Sequence, residues 1–497
     1  MTAGRAVVVG SGMGGLTSAI LLAKHGWRVT VLERHFRAGG YLHRFFRDGV
    51  GYDTGFHYVG GARPDQTFGR AMRDLGVADR VRFIPFDPDG FDILRFPGFD
   101  FRVPEGLDRW RDRLVDAFPH ERAGLDRYVA LHRAAIADYG WFSFDLSVPP
   151  EAILPWESRS LRSVMEECFH DPRLMAVIGG QAALYGVPAK EAPFGLHAIV
   201  TDHFLQGAWG IEGGGDKLAL AMVKRLRELG GTLHLKADVA AIELAGGEAR
   251  AVHLRDGRRF DADLVVANVH PRLVLDLLPA GAVRPAYAER VREAKPGRSH
   301  LGMYLRVDGD LSLLGPRNVY SFASWDVDDY ARPSSPGDVP FYFASCPGQR
   351  GAHRLPGADE VVLGLIQVDW TTFRAWADSD PDARPAAYEA LKAELLDSAI
   401  ARIRADFPGW RVTWAEASTP LTTSRFTNAV EGASYGHYHS VAQMGRYRLP
   451  MWTRVRGLVQ VGQCVAFPGI CGAMMSAYVA MAEIVGKDRL LKELLAG

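Results

Sequence analysis

The chain has little cysteine and no excess of charge of either sign. Its four cysteines are far apart and form no CxxC pair: Cys168, Cys346, Cys464 and Cys471. This spacing argues against a disulfide framework and against a zinc site, so we predict neither. Lysine plus arginine and aspartate plus glutamate balance at 58 each, which leaves no net field to attract nucleic acid or anionic lipid. We therefore expect no nucleic-acid function and no bound metal.

Long apolar runs are also absent, with one apparent exception near the C-terminus. Residues 457–482 carry no charged side chain, but Gln463, Pro468 and Gly469 interrupt them. We interpret the segment as a strand over 457–461, a turn and a buried helix over 472–484, and predict no transmembrane helix. The first predicted strand begins within a few residues of Met1, so we expect no targeting peptide and a cytoplasmic location. Peripheral docking at a membrane surface stays open.

The 497 residues are 47% hydrophobic, enough for a large core and two domains. Strand and helix patterns typical of a nucleotide-binding domain occur at the two ends and in the middle of the chain. The two segments between them have mixed helices and short strands. We therefore predict an α/β protein in which two domains interleave. A Rossmann-type domain takes residues 1–62, 205–280 and 415–497, and a mixed α+β substrate domain takes residues 63–204 and 281–414.

The strongest motif is a βαβ unit at the start of the chain. A short apolar strand over 6–9 leads into Gly10, Gly12, Gly14 and Gly15, then a helix and a second strand that ends at Glu33. Gly10 permits the tight turn, Gly12 lets a pyrophosphate approach the backbone, and Gly15 lets the helix pack on the strand. Glu33 is placed to accept the ribose hydroxyls and would repel a 2′-phosphate, which argues against NADP. The unit predicts a dinucleotide cofactor.

Further glycine turns follow this unit. They are the Gly39-Gly40 doublet, the stretch from Asp53 to Tyr58, and Gly213-Gly214-Gly215 before an amphipathic helix. Glycines this close to a nucleotide site indicate backbone that passes near a ligand. The chain carries a single nucleotide fingerprint, so no dedicated nicotinamide domain is expected and the electron donor or acceptor is left open.

With these blocks in this order, the chain resembles the phytoene desaturase, carotenoid isomerase and retinol saturase family of flavoproteins over nearly its whole length. The matching parts are the Gly10 to Gly15 fingerprint, the Gly39-Gly40 doublet, the Asp53 to Tyr58 turn, Gly213 to Gly215 and Gly462-Gln463. Within that family it looks most similar to the retinol saturase branch. His57-Tyr58 and the stretch from Gly436 through His439 and Ser440 to Gln443 indicate this branch.

The resemblance implies non-covalently bound FAD in an amine-oxidase-like or phytoene-desaturase-like fold. Gly10, Gly12, Gly15 and Glu33 would hold the ADP half, and Arg34 and Gly40 the pyrophosphate side. Val239 would lie over the adenine through its backbone. Gly462, Gln463 and a helix that begins near Gly472 would hold the ribityl chain and the flavin carbonyls. Many relatives carry an acid where this chain has Gln463, whose amide can still bond ribityl hydroxyls.

Four side chains are candidates for catalysis. His57 and Tyr58 follow a glycine turn near the cofactor, and His437 and His439 flank Tyr438 in a second glycine-bounded loop. One of the histidines could handle a proton, and a structural histidine is the plain alternative. No carboxylate with suitable spacing completes a metal site with the last two.

The middle segments are rich in aromatic residues, which suit an apolar tunnel or a plain core. They include Trp141, Phe142, Phe144, Trp209, Tyr304, Tyr342 and Phe343. The stretch 432–436 matches G-x-S-x-G, but its flanks do not predict the strand and helix of a nucleophile elbow, so a hydrolase is not expected.

The first hypothesis is therefore an FAD-dependent oxidoreductase acting on a C=C bond of a lipophilic, carotenoid- or retinoid-like polyene by hydride transfer at flavin N5. Closeness to the saturase branch favours reduction. Desaturation or redox-neutral cis–trans isomerisation on the same site stay open. An amine-oxidase-like enzyme would need a polar pocket with a carboxylate, and a non-catalytic flavin or lipid carrier would show no turnover.

Overall fold

The computed structural model describes residues 4–145, 147–350 and 359–496. The strands in this part of the chain are β1 (Arg5–Val9), β2 (Arg28–Leu32), β3 (Arg44–Arg47), β4 (Val50–Asp53), β5 (Val59–Gly60), β6 (Phe83–Pro85), β7 (Asp92–Phe96), β8 (Phe99–Val103), β9 (Ala208–Ile211), β10 (Thr232–His234), β11 (Val239–Ala245), β12 (Glu248–Leu254), β13 (Arg259–Asp261), β14 (Leu264–Ala267), β15 (Ser299–Asp308), β16 (Asn318–Phe322), β17 (Phe341–Ser345), β18 (Glu360–Val368), β19 (Arg411–Ser418) and β20 (Leu458–Gln460).

The helices are α1 (Met13–Lys24), α2 (Thr67–Asp74), α3 (Leu107–Ala117), α4 (Arg122–Asp138), α5 (Gly140–Ser143), α6 (Leu154–Glu157), α7 (Leu161–Cys168), α8 (Pro172–Gly180), α9 (Phe194–Leu205), α10 (Asp216–Glu228), α11 (Pro271–Leu277), α12 (Pro285–Glu293), α13 (Trp370–Phe373), α14 (Ala386–Asp406), α15 (Pro420–Thr427), α16 (Gly469–Val485) and α17 (Lys487–Ala496). In the described part of the chain, no helix combines the length and the apolar character needed to cross a bilayer.

A five-stranded parallel sheet carries the predicted nucleotide fold. Its order is β10-β2-β1-β14-β20, and every neighbouring pair is parallel. The strands of such a sheet are buried on both faces, which explains the unbroken run from Ala6 to Val9. Helix α1 packs against α10 and α16 on one face, where Leu16 and Ile20 have no exposed surface. The predicted fold class, a Rossmann-like domain with a substrate domain, is confirmed.

A seven-stranded mixed sheet forms the second layer, in the order β19-β15-β18-β17-β16-β7-β8. It draws strands from two separate stretches of chain, 92–103 and 299–418, while the parallel sheet uses 5–32, 232–267 and 458–460. The exact division into domains given above stays a prediction. Helix α14 covers one face of this sheet with Leu395, Ala399 and Ile403.

The charge-free segment near the C-terminus forms a strand, a turn and a buried helix. The helix is α16, which starts at Gly469 after Pro468 and so begins three residues before the predicted position. Proline before a first turn loses no intrahelical bond, since the first N–H groups have no partner in the helix. This N-terminus lies at the carboxyl ends of β1 and β14, where open parallel sheets bind ligands.

Candidate active site

A cavity of about 540 Å³ runs along the carboxyl ends of β1, β2 and β14. Ten of the twelve residues predicted to bind the cofactor line it: Gly10, Gly12, Gly14, Glu33, Arg34, Gly39, Gly40, Val239, Gly462 and Gln463. The other two lie just behind. Gly15 packs α1 on β1, since a Cβ there would be 2.1 Å from the carbonyl of Gly10, and Gly472 lies in the wall of the adjoining cavity.

The glycines of the first turn leave no room for side chains. Gly10 adopts φ +93°, and a Cβ would lie 2.8 Å from the carbonyl oxygen of Asn268. At Gly14 a Cβ would be 2.7 Å from Asn268 Oδ1 and 3.0 Å from the carbonyl of Ala473 in α16. The turn, the end of β14 and the start of α16 are therefore in close contact. Free backbone N–H groups at the start of α1 are left to face an anion.

Glu33 is held firmly beside this turn. Its Oε2 accepts hydrogen bonds from the Ser11 N–H at 2.8 Å and from the Ser11 hydroxyl at 2.6 Å, and Oε1 accepts from the His35 N–H at 2.8 Å. A carboxylate has about four acceptor positions, so one remains for a ribose hydroxyl. The geometry agrees with the ribose role predicted for this residue.

The far end of the cavity is formed by the loop after β20 and by α16. Gln463 donates from Nε2 to the Ser434 carbonyl at 3.2 Å and accepts from the Gly469 N–H at 3.3 Å. Its amide thus joins two segments of the cavity wall. The N-terminus of α16 carries partial positive charge, which favours negative charge on a bound cofactor.

Two of the glycine turns are tied directly together. The Gly215 N–H donates to Asp53 Oδ1 at 2.8 Å, and Arg44, which is 2% exposed, lies between Asp53 and Asp216. A side chain at Gly214 would meet the guanidinium of Arg44. The bond between the two turns stabilises the part of the cavity wall that Asp53, Thr54 and Gly55 form.

A second cavity of about 150 Å³, here called the aromatic chamber, opens beside the first. Seven residues line both: Gly55, His57, His300, Leu365, Tyr435, Gly469 and Ile470. Among the described residues that line the chamber, none is Asp, Glu, Lys or Arg. Its rings are Phe56, Tyr58, Phe142, Tyr185, Phe204, Tyr320, Phe341, Phe343, Tyr435 and Phe467. The chamber suits a flat, apolar, elongated molecule.

Two histidines lie where the chamber meets the first cavity. His57 contacts Phe343 with ring centroids 4.9 Å apart. His300 lies 2.7 Å from the Ser434 hydroxyl through Nδ1, and burial, with Arg298 and His57 nearby, lowers the pKa of His300 to about 3. His300 is therefore neutral. When its Nδ1 accepts from the Ser434 hydroxyl, its proton lies on Nε2.

Tyr58 lies deeper in the chamber. Its hydroxyl donates to Asp92 Oδ2 at 2.7 Å and lies 2.7 Å from the Tyr320 hydroxyl. Burial, and then the charge of Asp92, raises the pKa of Tyr58 well above its usual value. The structure thus places Tyr58 in the wall of the aromatic chamber, while a catalytic role for it stays a prediction.

His437 and His439 lie outside the lining of both cavities. His439 Nε2 is 2.9 Å from the Gln463 carbonyl, and burial, with His437 nearby, lowers the pKa of His439 to about 3. His437 faces His270 with ring centroids 6.1 Å apart, and burial lowers its pKa to about 4. His439 thus supports the loop that carries Gln463. No group of three or more metal-ligating side chains occurs among the described residues.

Sequence reasoning missed three residues of the site. Asn268 follows β14 at the carboxyl edge of the parallel sheet, and its position there could have revealed it. His300 is the second residue of β15. Tyr435 belongs to the G-x-S-x-G stretch, which has no strand before it. Of the seven aromatics proposed for a tunnel, Phe142 and Phe343 line the chamber and Tyr304 the first cavity, while Tyr342 is core.

The residues of the first cavity fit FAD. Three features match its pyrophosphate, ribose and flavin: the close approach at Gly12 and Gly14, the remaining acceptor position of Glu33, and the N-termini of α1 and α16. Cys464 lines this cavity, and burial raises the pKa of its thiol to about 12, which leaves no thiolate for covalent attachment.

Comparison with known proteins agrees with this geometry. Residues 13–296 match the family model described as flavin containing amine oxidoreductase. The all-trans-retinol 13,14-reductase of Danio rerio is 27% identical over 526 residues, covering 97% of this chain and 86% of that protein. The chloroplastic prolycopene isomerase 1 of an Oncidium hybrid cultivar is 28% identical over 491 residues, covering 93% and 80%. These relatives confirm the resemblance predicted from the motifs.

Solved structures show the same fold. Cyclohexylamine oxidase from Brevibacterium oxydans superposes with a TM-score of 0.63 at 16% identity, covering 98% of this chain and 99% of that chain. The likeness extends over both sheets, so the substrate domain as well as the nucleotide domain has a counterpart of known structure. FAD is the cofactor that this family and fold bind.

Proposed function

The chain belongs to the family of flavin-containing amine oxidoreductases, and we propose that it reduces one carbon–carbon double bond of a lipophilic polyene. The observation that carries this proposal is the aromatic chamber beside the cofactor cavity, which has ring-bearing walls and no charged lining residue among those described. The relative named all-trans-retinol 13,14-reductase, which matches over 97% of this chain, supports the same substrate class and direction.

When bound, FAD supplies a hydride donor or acceptor at its N5. The protein's own part is to position the polyene and to deliver one proton. The apolar walls exclude water, and the Phe343 ring contacts His57 at the boundary of the two cavities. We assign to His57 the proton that must reach the carbon next to the one that receives the hydride, because His57 lines both cavities. His300, which is neutral, lines both cavities beside it and helps to orient the polyene.

Two alternatives use the same cavities. Desaturation or cis–trans isomerisation needs the same chamber, and the match to a prolycopene isomerase supports the second. An amine substrate is disfavoured, because a cationic amine in the chamber would have no carboxylate among the described lining residues to offset its desolvation. A carrier without activity is distinguished by the absence of turnover.

The test is an anaerobic incubation of the photoreduced holoprotein with a panel of retinoids and carotenoids, followed by mass analysis. Net reduction adds two hydrogen atoms to one member of the panel and returns the yellow colour of oxidised FAD. An unchanged mass with altered double-bond geometry would establish isomerisation instead. Loss of two hydrogens, seen only with oxidised protein, would establish desaturation.

A further inference from the structure

A third cavity of about 250 Å³, here called the polar cavity, adjoins the aromatic chamber. The chamber shares lining residues with the first cavity and with the polar cavity, whereas the first cavity and the polar cavity have no lining residue in common. The chamber therefore lies between the other two. Phe142, Ile199 and His203 line both the chamber and the polar cavity, so they mark the end of the chamber away from the cofactor.

The polarity of the walls changes at this end of the chamber. Asp65, Arg70 and Asp202 line the polar cavity, whereas no charged side chain lines the chamber among the residues that the structure describes there. A hydrocarbon chain that extended into the polar cavity would remove these charged groups from water without offering them a partner. The end of the chamber is thus a boundary in polarity for an apolar molecule.

Phe142 makes this end a boundary in shape as well. Its carbonyl accepts a hydrogen bond from the hydroxyl of Thr67, which lines the polar cavity. Its ring meets the ring of Phe467 edge to face, with centroids 5.3 Å apart, and Phe467 lines the chamber. The backbone of Phe142 therefore faces the polar cavity and its ring faces the chamber. Phe142 and Phe467 together are here called the end wall.

The Phe142 side of the end wall is fixed by the residue that ends α5. Phe144 adopts φ +60°, in the left-handed region that side chains other than glycine rarely enter. Its ring is 4% exposed and packs against Tyr478 of α16, with ring centroids 6.1 Å apart. This packing offsets the unfavourable backbone conformation and holds α5, with Phe142, against α16.

The Phe467 side is fixed by a buried carboxylate. The guanidinium carbon of Arg448 lies 4.3 Å from the centroid of the Phe467 ring, and Arg448 donates to Glu157 Oε1. Glu157, whose side chain is fully buried, also accepts from the Gly445 N–H at 2.6 Å and from the Tyr139 hydroxyl at 3.1 Å. The Tyr139 ring contacts Phe467 with centroids 5.5 Å apart. Two groups bonded to one buried carboxylate thus hold the Phe467 ring in place.

We propose that the end wall sets the length of polyene that the protein accepts, with Phe142 as the specificity-determining residue. A chamber of about 150 Å³ with a rigid apolar end and charged groups behind it favours a polyene of retinoid length over a longer one. This inference rests on the proposed function, since it assumes that the polyene lies in the aromatic chamber. It adds a selection by length among polyenes that carry the same end groups.

The test compares kcat/KM of the reduced holoenzyme for all-trans-retinol and for β-apo-12′-carotenol, which has the same two ends and is longer by one isoprene unit. We expect the parent protein to prefer retinol by about tenfold or more, because a packed wall does not yield to the added carbons. Phe142→Ala removes a ring of about the size of one isoprene unit, so the preference should shift towards the longer alcohol by about tenfold or more. Phe142→Leu, which keeps more of the packing, should give a smaller shift in the same direction.

Ile136→Ala is the matched control, because Ile136 lines the polar cavity but not the chamber. It should keep the ratio of the parent protein. A parent without preference for retinol, an unchanged ratio in both Phe142 variants, or an equal shift in Ile136→Ala would overturn the inference while leaving polyene reduction intact.

If no polyene is reduced, the proposed function fails, and quenching of protein fluorescence by the two alcohols still tests the end wall. Equal affinities in the parent protein overturn the inference. A preference for retinol that is lost in Phe142→Ala and kept in Ile136→Ala supports it.

Discussion

The Nε2 atom of His439 lies 2.9 Å from the carbonyl oxygen of Gln463, the residue whose amide joins Ser434 to the start of α16. One predicted catalytic histidine therefore supports the cofactor wall, whereas His57 lies in the wall of both cavities. The two residues should differ in what their replacement changes.

We predict that His57→Gln keeps its FAD and slows turnover on the true substrate by roughly 10²–10⁴, the usual range for a positioned acid or base. His439→Gln should shift the visible absorption spectrum and reduction potential of bound FAD, because it releases Gln463. His253→Gln, at a half-buried histidine outside the lining of both cavities, serves as control. Stopped-flow reoxidation and spectral titration measure both effects. Unaltered turnover in His57→Gln would remove it from proton transfer.

Gly12→Ala should fold but lose FAD. The residue has φ −67° and ψ 178°, which any amino acid adopts, and the nearest atom to an added Cβ is Asn268 Nδ2 at 3.0 Å. The methyl group would occupy the place where the backbone meets the pyrophosphate. FAD per protein, measured by absorbance, should fall sharply while circular dichroism is kept. Gly409→Ala, with no atom within 4 Å of its Cβ, is the matched control. Full FAD content in Gly12→Ala would refute the assignment.

Acid precipitation should release the cofactor from the protein as unmodified FAD. Burial raises the pKa of the Cys464 and Cys471 thiols to about 12, so neither provides a thiolate near the cavities. We expect free FAD in the supernatant, identified by chromatography. Yellow colour retained in the washed pellet would show a covalent bond and contradict this prediction.

The local part of the site could be predicted from the sequence. The fingerprint from Gly10 to Gly15 and Glu33 are read from spacing along one βαβ unit, and the structure puts them where that spacing requires. The opposite wall could not be predicted. His300 and Tyr435 are far apart in the chain and meet only because β15 lies beside the loop after α15.

The two loop histidines illustrate the same limit. Glycines around His437 and His439 suggest an open loop, yet both rings are buried, at 5% and 2% exposure. The loop folds under Gln463 because the His439 ring meets a backbone carbonyl 24 residues away. Sequence spacing carries no information about such a contact between separate segments.

The free energy of unfolding should fall as the pH drops below about 6.5. Seven buried histidines have a folded-state pKa lowered by burial to about 3 or 4, against about 6.5 when unfolded; they are His132, His197, His203, His270, His300, His437 and His439. Between these values the unfolded chain binds more protons, so their contribution is complete above pH 6.5 and is lost as pH falls towards 4. Each histidine that is neutral in the folded protein and protonated in the unfolded chain changes the free energy of unfolding by about 1.4 kcal/mol per pH unit.

Urea unfolding at about pH 7 and about pH 5 measures this slope. His132→Gln can still donate to the Ala198 carbonyl, which lies 3.0 Å from His132 Nε2, and should flatten the dependence by about one proton. The exposed His120→Gln should leave it unchanged. A free energy of unfolding that does not change over this range would contradict the buried, neutral state of these rings.

Reduction of a polyene double bond is the central claim, and a single turnover in D₂O tests it most directly. The holoprotein is photoreduced anaerobically in D₂O, mixed with all-trans-retinol, and the product is analysed by mass spectrometry. The account predicts that the product carries two added deuterium atoms on adjacent carbons and that FAD becomes oxidised in equal amount. A product without deuterium and with FAD still reduced would contradict it.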